Sequence, residues 1–175
     1  GLVALARPAR HPARVPALVL RAAAPCFVQK NGWLTAMPPL QFETFSDATR
    51  LNADAALKMF MALQCKGSVS MKSDLRFLQA VAGQRGMPEA SALRSTLDLL
   101  GTGDLREAAA QLDLPVLAIT GEHDVLVPAG VAAALGALNP RCTGHVVTGA
   151  AHVPFISHSG HCRDAILTFM QAIHD

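Results

Sequence analysis

Apolar residues are spaced in two different ways along this chain. Near the two ends they form short unbroken runs, and through the middle they recur at helical intervals. Residues 1–11, Gly-Leu-Val-Ala-Leu-Ala-Arg-Pro-Ala-Arg-His, predict a small-residue helix weakened by Pro8. A turn at 11–15 then leads into Ala17-Leu18-Val19-Leu20, a short strand apolar on both faces, as a covered parallel sheet requires. From Pro25 to about Thr102 no strand pattern occurs. Helices are predicted instead at roughly 40–46, 51–66, 70–83 and 88–100. Asn52 or Ser46 would cap the second of them, Gly67 would end it, and Ser70 or Ser73 would cap the third. Within the second, Leu57, Phe60, Met61 and Gln64 fall on neighbouring helical positions.

The strand pattern resumes after a helix at 104–112. A strand at 115–120 is followed by an Ala-rich helix at 130–138 that Asn139-Pro140 ends, a strand at 144–148 and an amphipathic helix at 163–173. This order predicts one α/β core interrupted by an all-helical lid. The core comprises 1–24 and 104–175 and the lid comprises 25–103, with a mostly parallel sheet carrying helices on both faces.

Composition narrows the class. Hydrophobic residues make up 51% of 175, enough for one sizeable core and too many for a disordered chain. A net charge of +2, one Trp and no Tyr give neither the field nor the stacking platforms of a nucleic-acid binder. No apolar run approaches the roughly 18–20 residues of a membrane helix. Cys26, Cys65, Cys142 and Cys162 form no C-x-x-C pair and are expected to be reduced thiols in a cytoplasmic protein. The amino-terminal residues carry no signal-peptide pattern. With no initiating Met they are expected to be the start of a fragment.

The chemistry is expected at two strand ends. Asp124 closes Pro-Val-Leu-Ala-Ile-Thr-Gly-Glu-His-Asp (115–124), and His152 follows Gly-His-Val-Val-Thr-Gly-Ala-Ala (144–151). In a parallel sheet the crevice lies beyond the carboxyl ends of the strands, where an acid followed by a histidine forms two thirds of a Ser-His-Asp triad. Taken singly, Asp124 also suits a helix cap and His152 a turn; their matched placement favours catalysis. Val125 to Pro128 and Val153 to Phe155 would wall such a site. No Gly-x-Ser-x-Gly elbow occurs among these residues. His158, His161 and Cys162 have the only metal-like spacing and are read as a helix start with surface histidines, so no metal site and no cofactor are expected.

Several segments carry a resemblance. Gly-Glu-His-Asp-Val-Leu-Val-Pro (121–128) and Gly-Ala-Ala-His-Val-Pro-Phe-Ile-Ser-His (149–158) look like the α/β-hydrolase fold. More narrowly, the chain resembles the pimeloyl-[acyl-carrier protein] methyl ester esterases of biotin synthesis. The likeness lies in the segments at 11–19, Ala24-Pro25-Cys26-Phe27, Phe60-Met61-Ala62-Leu63-Gln64, Asp104-Leu105-Arg106 and Ala150 to His158. The resemblance implies a carboxylesterase, and it makes Gly1 the last glycine of the elbow, with the serine three positions upstream. It implies that Phe60, Met61, Ala62, Leu63 and Gln64, with His152, contact the substrate. It also sets Lys58, Lys72 and Arg76 on a basic lid face toward an acidic carrier protein. Between Arg50 and Arg94 seven cations stand against three anions, a local excess that would steer such a partner. The parent is expected to be a monomer acting on a small-molecule or carrier-bound acyl ester, without membrane or nucleic-acid partners. A lipase-like esterase, a thioesterase or a non-catalytic scaffold of the same fold remains open at this point.

Overall fold

The structure, a computed structural model, describes residues 2–10, 14–86 and 88–173. The expected turn at 11–15 and the elbow glycine Gly1 therefore fall wholly or partly outside the described residues. In chain order the elements are α1 (Leu2–Arg10), β1 (Leu18–Arg21), α2 (Pro39–Leu51), α3 (Ala53–Cys65), α4 (Met71–Arg85) and α5 (Ala90–Thr102). They continue with α6 (Arg106–Ala110), β2 (Val116–Gly121), α7 (Gly130–Leu138), β3 (Cys142–Val147), α8 (Pro154–Ser157) and α9 (Ser159–Ala172).

Among the described residues the three strands form one sheet, ordered β1-β2-β3 and parallel throughout. The continuous apolar run of β2 is explained by cover on both faces. Val116 and Ala118 face one cluster with Leu5 of α1, Ala109 of α6, and Val131 and Leu135 of α7. Leu117 and Ile119 face the other, with Cys162 and Phe169 of α9. Asn139 ends α7 and fastens it to the segment before β2: its buried amide donates to Ala109 O and Leu112 O, both at 2.9 Å.

The helices α2 to α5 lie between β1 and α6, where the lid was expected, with only isolated bridges and no strand among the described residues of that stretch. Pro39 occupies the first turn of α2, where its missing N–H costs nothing. A single residue, Asn52, separates α2 from α3: its N–H closes α2 on Ala48 O and its side chain caps α3 through Ala55 N at 3.0 Å. Two expected helices thus change bounds, α2 extending to Leu51 and α3 starting at Ala53. At the far end, β3 begins at Cys142, α9 begins at Ser159 ahead of the expected Arg163, and the short α8 was not anticipated. Among the described residues no helix is long and apolar enough to cross a membrane.

Candidate active site

Both loops that carry the expected chemistry leave the carboxyl edge of the sheet. β2 ends at Gly121, and here glycine is obligatory because a Cβ would lie 2.0 Å from Ala151 O and 2.6 Å from Ala150 O. That close approach presses the loop after β3 against the end of β2. His123 N then donates to Ala150 O at 2.8 Å and Glu122 N to Val147 O at 3.1 Å. Gly149 turns the chain with φ +73° and donates its N–H to the Glu122 carboxylate at 2.8 Å.

Asp124 and His152 meet as this geometry requires. The Asp124 side chain is fully buried. One carboxylate oxygen, Oδ1, accepts from Leu126 N at 2.8 Å and Val127 N at 2.9 Å; the other, Oδ2, lies 2.8 Å from His152 Nδ1. Asp124 therefore caps its own turn and does not cap α7, which starts six residues later. A carboxylate can only accept, so Nδ1 carries the proton and Nε2 presents its lone pair. Among the described residues no hydrogen-bond partner reaches Nε2 and no buried side-chain N or O lacks one, so Nε2 opens to solvent. An imidazole so held can take a proton from a group placed beside Nε2.

The helical segment contributes to this edge. His152 N donates to Gln64 O at the end of α3, at 3.0 Å, and Gly67, with φ +91°, lies so near His123 that a Cβ would come within 2.9 Å of it. The corner between α3 and α4 is tied internally by a buried carboxylate. Asp74 Oδ2 accepts from Ser68 Oγ at 2.9 Å and from Ser70 Oγ at 2.7 Å.

The helical segment encloses an apolar cavity of about 360 Å³. Its walls come from α2 (Phe42, Phe45, Thr49), α3 (Leu57, Phe60, Leu63), α5 (Leu93, Leu97, Leu100) and the loops bearing Phe27, Met37 and Leu126, with no charged side chain. Leu126 links cavity and acid, since its N–H is one of the two that hold Asp124.

The five residues expected at the acyl pocket divide. Phe60 and Leu63 line the cavity, Phe60 stacked at 5.3 Å on Phe45. Met61 does not: it is buried on the side of α3 that faces α4, beside Gln79 and Ala82. Its side chain turns toward α4 and away from the cavity. Ala62 is also absent from the lining, and Gln64 contributes its backbone carbonyl to His152 instead of its side chain to the cavity. Phe27, Phe42 and Phe45 were missed, because only the tertiary fold brings a loop and α2 against α3.

Of the three expected basic residues, Lys72 and Arg76 stand one turn apart and exposed on α4, while Lys58 on α3 is engaged by Asp54 at 2.6 Å. The buried thiols are poor nucleophiles. Burial raises Cys26, Cys65 and Cys162 and pushes Cys142 up to about 11. His158 and His161 lie at the start of α9, their rings 5.9 Å apart. Among the described residues no three His, Cys, Asp or Glu side chains converge as metal ligands would.

No family model matches the sequence. It is 35% identical over 173 residues to the pimeloyl-[acyl-carrier protein] methyl ester esterase of Salmonella paratyphi A, covering 99% of this chain and 67% of the relative. It is 37% identical over 171 residues to the same enzyme of Yersinia enterocolitica, covering 98% of this chain and 66% of the relative. Among solved structures, an esterase from Exiguobacterium antarcticum superposes with a TM-score of 0.80 at 16% identity, over 97% of this chain and 63% of that one. The enol-lactonase from Burkholderia xenovorans LB400 gives 0.79 at 18%, over 97% and 62%. Those structural likenesses fix the fold, that of the α/β hydrolases. The chain spans about two thirds of the length of the curated relatives it matches.

Proposed function

The chain belongs to the family of the pimeloyl-[acyl-carrier protein] methyl ester esterases, and on that premise we propose that it carries the base, the acid and the acyl cavity of a serine carboxylesterase. The observation that supports this most directly is the 2.8 Å contact between Asp124 and His152, with Nε2 left free at the edge of the sheet. In this reading a serine ahead of α1 is the nucleophile. Gly103, a Cβ on which would come within 2.8 Å of Leu2, adjoins Asp104, which bridges Cys26 in the loop beyond β1. The start of α1 thus lies against Gly103, at the junction of the helical segment and the core.

The steps follow from the geometry. His152 Nε2 takes the serine proton as Oγ attacks the ester carbonyl, and the resulting imidazolium is stabilised by the Asp124 carboxylate. The imidazolium then protonates the departing alkoxide, releasing an alcohol and leaving an acyl-enzyme. Nε2 next deprotonates a water that attacks the acyl carbon, and the proton returns to serine as the acid leaves. No cofactor takes part. The acyl chain lies in the cavity walled by Phe60, Leu63 and their neighbours, whose lack of charge suits a neutral chain.

The substrate is a methyl ester of a pimeloyl-type chain borne on an acidic carrier protein. The exposed Lys72 and Arg76 supply the steering charge, and Lys58 joins them only if it leaves Asp54. The setting is the cytoplasm and the acting unit a monomer. The test is hydrolysis of a short-chain methyl ester by the intact protein. His152→Ala is expected to lower kcat by about 10⁴-fold or more and Asp124→Asn by a similar factor, with KM little changed. The 175-residue chain alone should hydrolyse no faster than its own His152→Ala variant. Robust turnover by the chain alone, abolished by His152→Ala, would move the nucleophile into these residues. An intact protein that binds esters without cleaving them would favour a scaffold. Preference for a thioester over a methyl ester would favour a thioesterase.

A further inference from the structure

The cavity shares one wall residue with each of two outer grooves, Leu57 toward Asp54 and Lys58 and the aromatic Phe42 toward α5. Phe42 of α2 lines the cavity and also an outer groove that bears Glu43, Asp47, Arg50 and Asp98. Its ring is thus a partition between an uncharged interior and a charged, solvent-facing surface. Two neighbours fix the ring. Phe27 meets it edge-on with centroids 6.2 Å apart. On α5, Gly101 leaves so little room that a Cβ there would come within 2.6 Å of Phe42 Cε1 and 3.0 Å of Cζ. Any side chain at 101 would therefore displace the ring away from α5, toward Phe27 and the cavity. The absence of a side chain at Gly101 sets where the partition stands.

We propose that Phe42, seated against Gly101, is the specificity-determining residue that limits the length of the acyl chain this site accepts. This role for Phe42 rests on the acyl-cavity reading above. A chain that extends toward Phe42 must displace the ring or carry methylenes into a groove of carboxylates and a guanidinium, and neither is favourable for an apolar tail. Removing the ring joins the two spaces and lets a longer chain pass. Pushing the ring inward shortens the space. Contacts of one methylene with an apolar wall are worth roughly 10-fold or more in discrimination, so a moved partition registers clearly in a chain-length series.

The experiment uses the intact protein and p-nitrophenyl esters from C2 to C12, with kcat/KM expressed relative to the C2 ester. Phe42→Ala is expected to shift the preferred length upward, raising the C10-to-C2 ratio by roughly 10-fold or more. Gly101→Ala is expected to shift it downward by a similar factor. Phe42→Leu, which keeps an apolar plug, serves where either variant folds poorly and should give a smaller upward shift. Leu93→Trp, which fills the cavity from α5 without touching the partition, separates the two ideas. If Leu93→Trp leaves every ratio unchanged, the acyl chain does not enter the cavity and the reading beneath the proposal falls. If Leu93→Trp depresses the longer esters while Phe42→Ala and Phe42→Leu leave the preferred length where it was, the cavity stands and the partition proposal is overturned.

Discussion

All six residues of β2 are buried, whereas the described residues of α4, a helix of 15, bury only Asp74. The strand is held from both faces by apolar contact, and Phe77 and Met71 of the helix face solvent. What fixes the start of α4 is polar, the acceptance of Ser68 and Ser70 by the Asp74 carboxylate. The difference matches what the proposed function asks of each region. An acid and a base held at hydrogen-bonding distance need a frame that does not give, since small misplacements are costly in rate. α4 packs on α3 and lines no part of the cavity, and a helix with so little buried is drawn from the less stable part of a fold. Amides of α4 should accordingly exchange with solvent well before those of β2.

The sharpest way to break the comparison is to deform the frame. Gly121→Ala brings a Cβ against two carbonyl oxygens of the backbone, and neither can rotate away. A cost of about 3 kcal/mol or more is expected, read from the urea midpoint at unchanged m-value. Any folded fraction should show His152 displaced from Asp124, with loss of the far-downfield proton resonance of Nδ1. A variant as stable as the parent would mean that the loops at 121 and 150–151 are not rigidly apposed. Next in size is Asn139→Ala. It strands the buried carbonyl of Leu112 and leaves that of Ala109 with backbone donors only, and about 2 kcal/mol should be lost from global stability.

The same contrast explains what was legible in the sequence. β2 announces itself because burial on both faces demands an unbroken apolar run, and the turn after it exposes Asp124 to the same logic. His152 is legible for the same reason one strand later. The start of β3 is less so, because Cys-Thr-Gly-His at 142–145 mixes polar and apolar residues without a period. In the helical segment the existence of helices is readable and their facing is not. α3 carries apolar residues on more than one side: Leu57, Phe60 and Leu63 turn to the cavity, and Ala56, Met61 and Cys65 are buried against other neighbours. Sequence periodicity gives no means of assigning Met61 to one side and Phe60 to the other. Phe27 sits in a loop and Phe42 on a different helix, so their place in the cavity depends on contacts distant in sequence.

A milder perturbation sharpens the helical side. Asn52 both ends α2 and caps α3. Asn52→Ala should cost about 1 kcal/mol. The loss should appear mainly as faster amide exchange in the first turn of α3, with β2 unaffected. If β2 amides accelerate equally, the two regions unfold as one unit and the contrast drawn between them fails.

The smallest effect is expected at the seam. Asp104 joins the end of the helical segment to the core: it bridges Cys26, and Arg106 donates to it at 2.9 and 2.8 Å while reaching Asn31 O at 2.7 Å. Hydrogen bonding from the Arg106 side chain is the main reason the Asp104 carboxyl titrates below its usual value, with Lys30, 3.8 Å away, adding a little. A lowered pKa in the fold means that the ionised form favours folding. The contribution is therefore complete above the ordinary carboxylate pKa of about 4 and fades as pH falls through the lowered value. The side chain is partly exposed, so solvent screening holds the pair to about 0.5 kcal/mol. Asp104→Asn should be less stable than the parent by that amount at pH 7, and the two curves should converge as pH falls through the lowered value. A gap that persisted undiminished in acid would show that the seam depends on the shape of the Asp104 side chain and not on its charge.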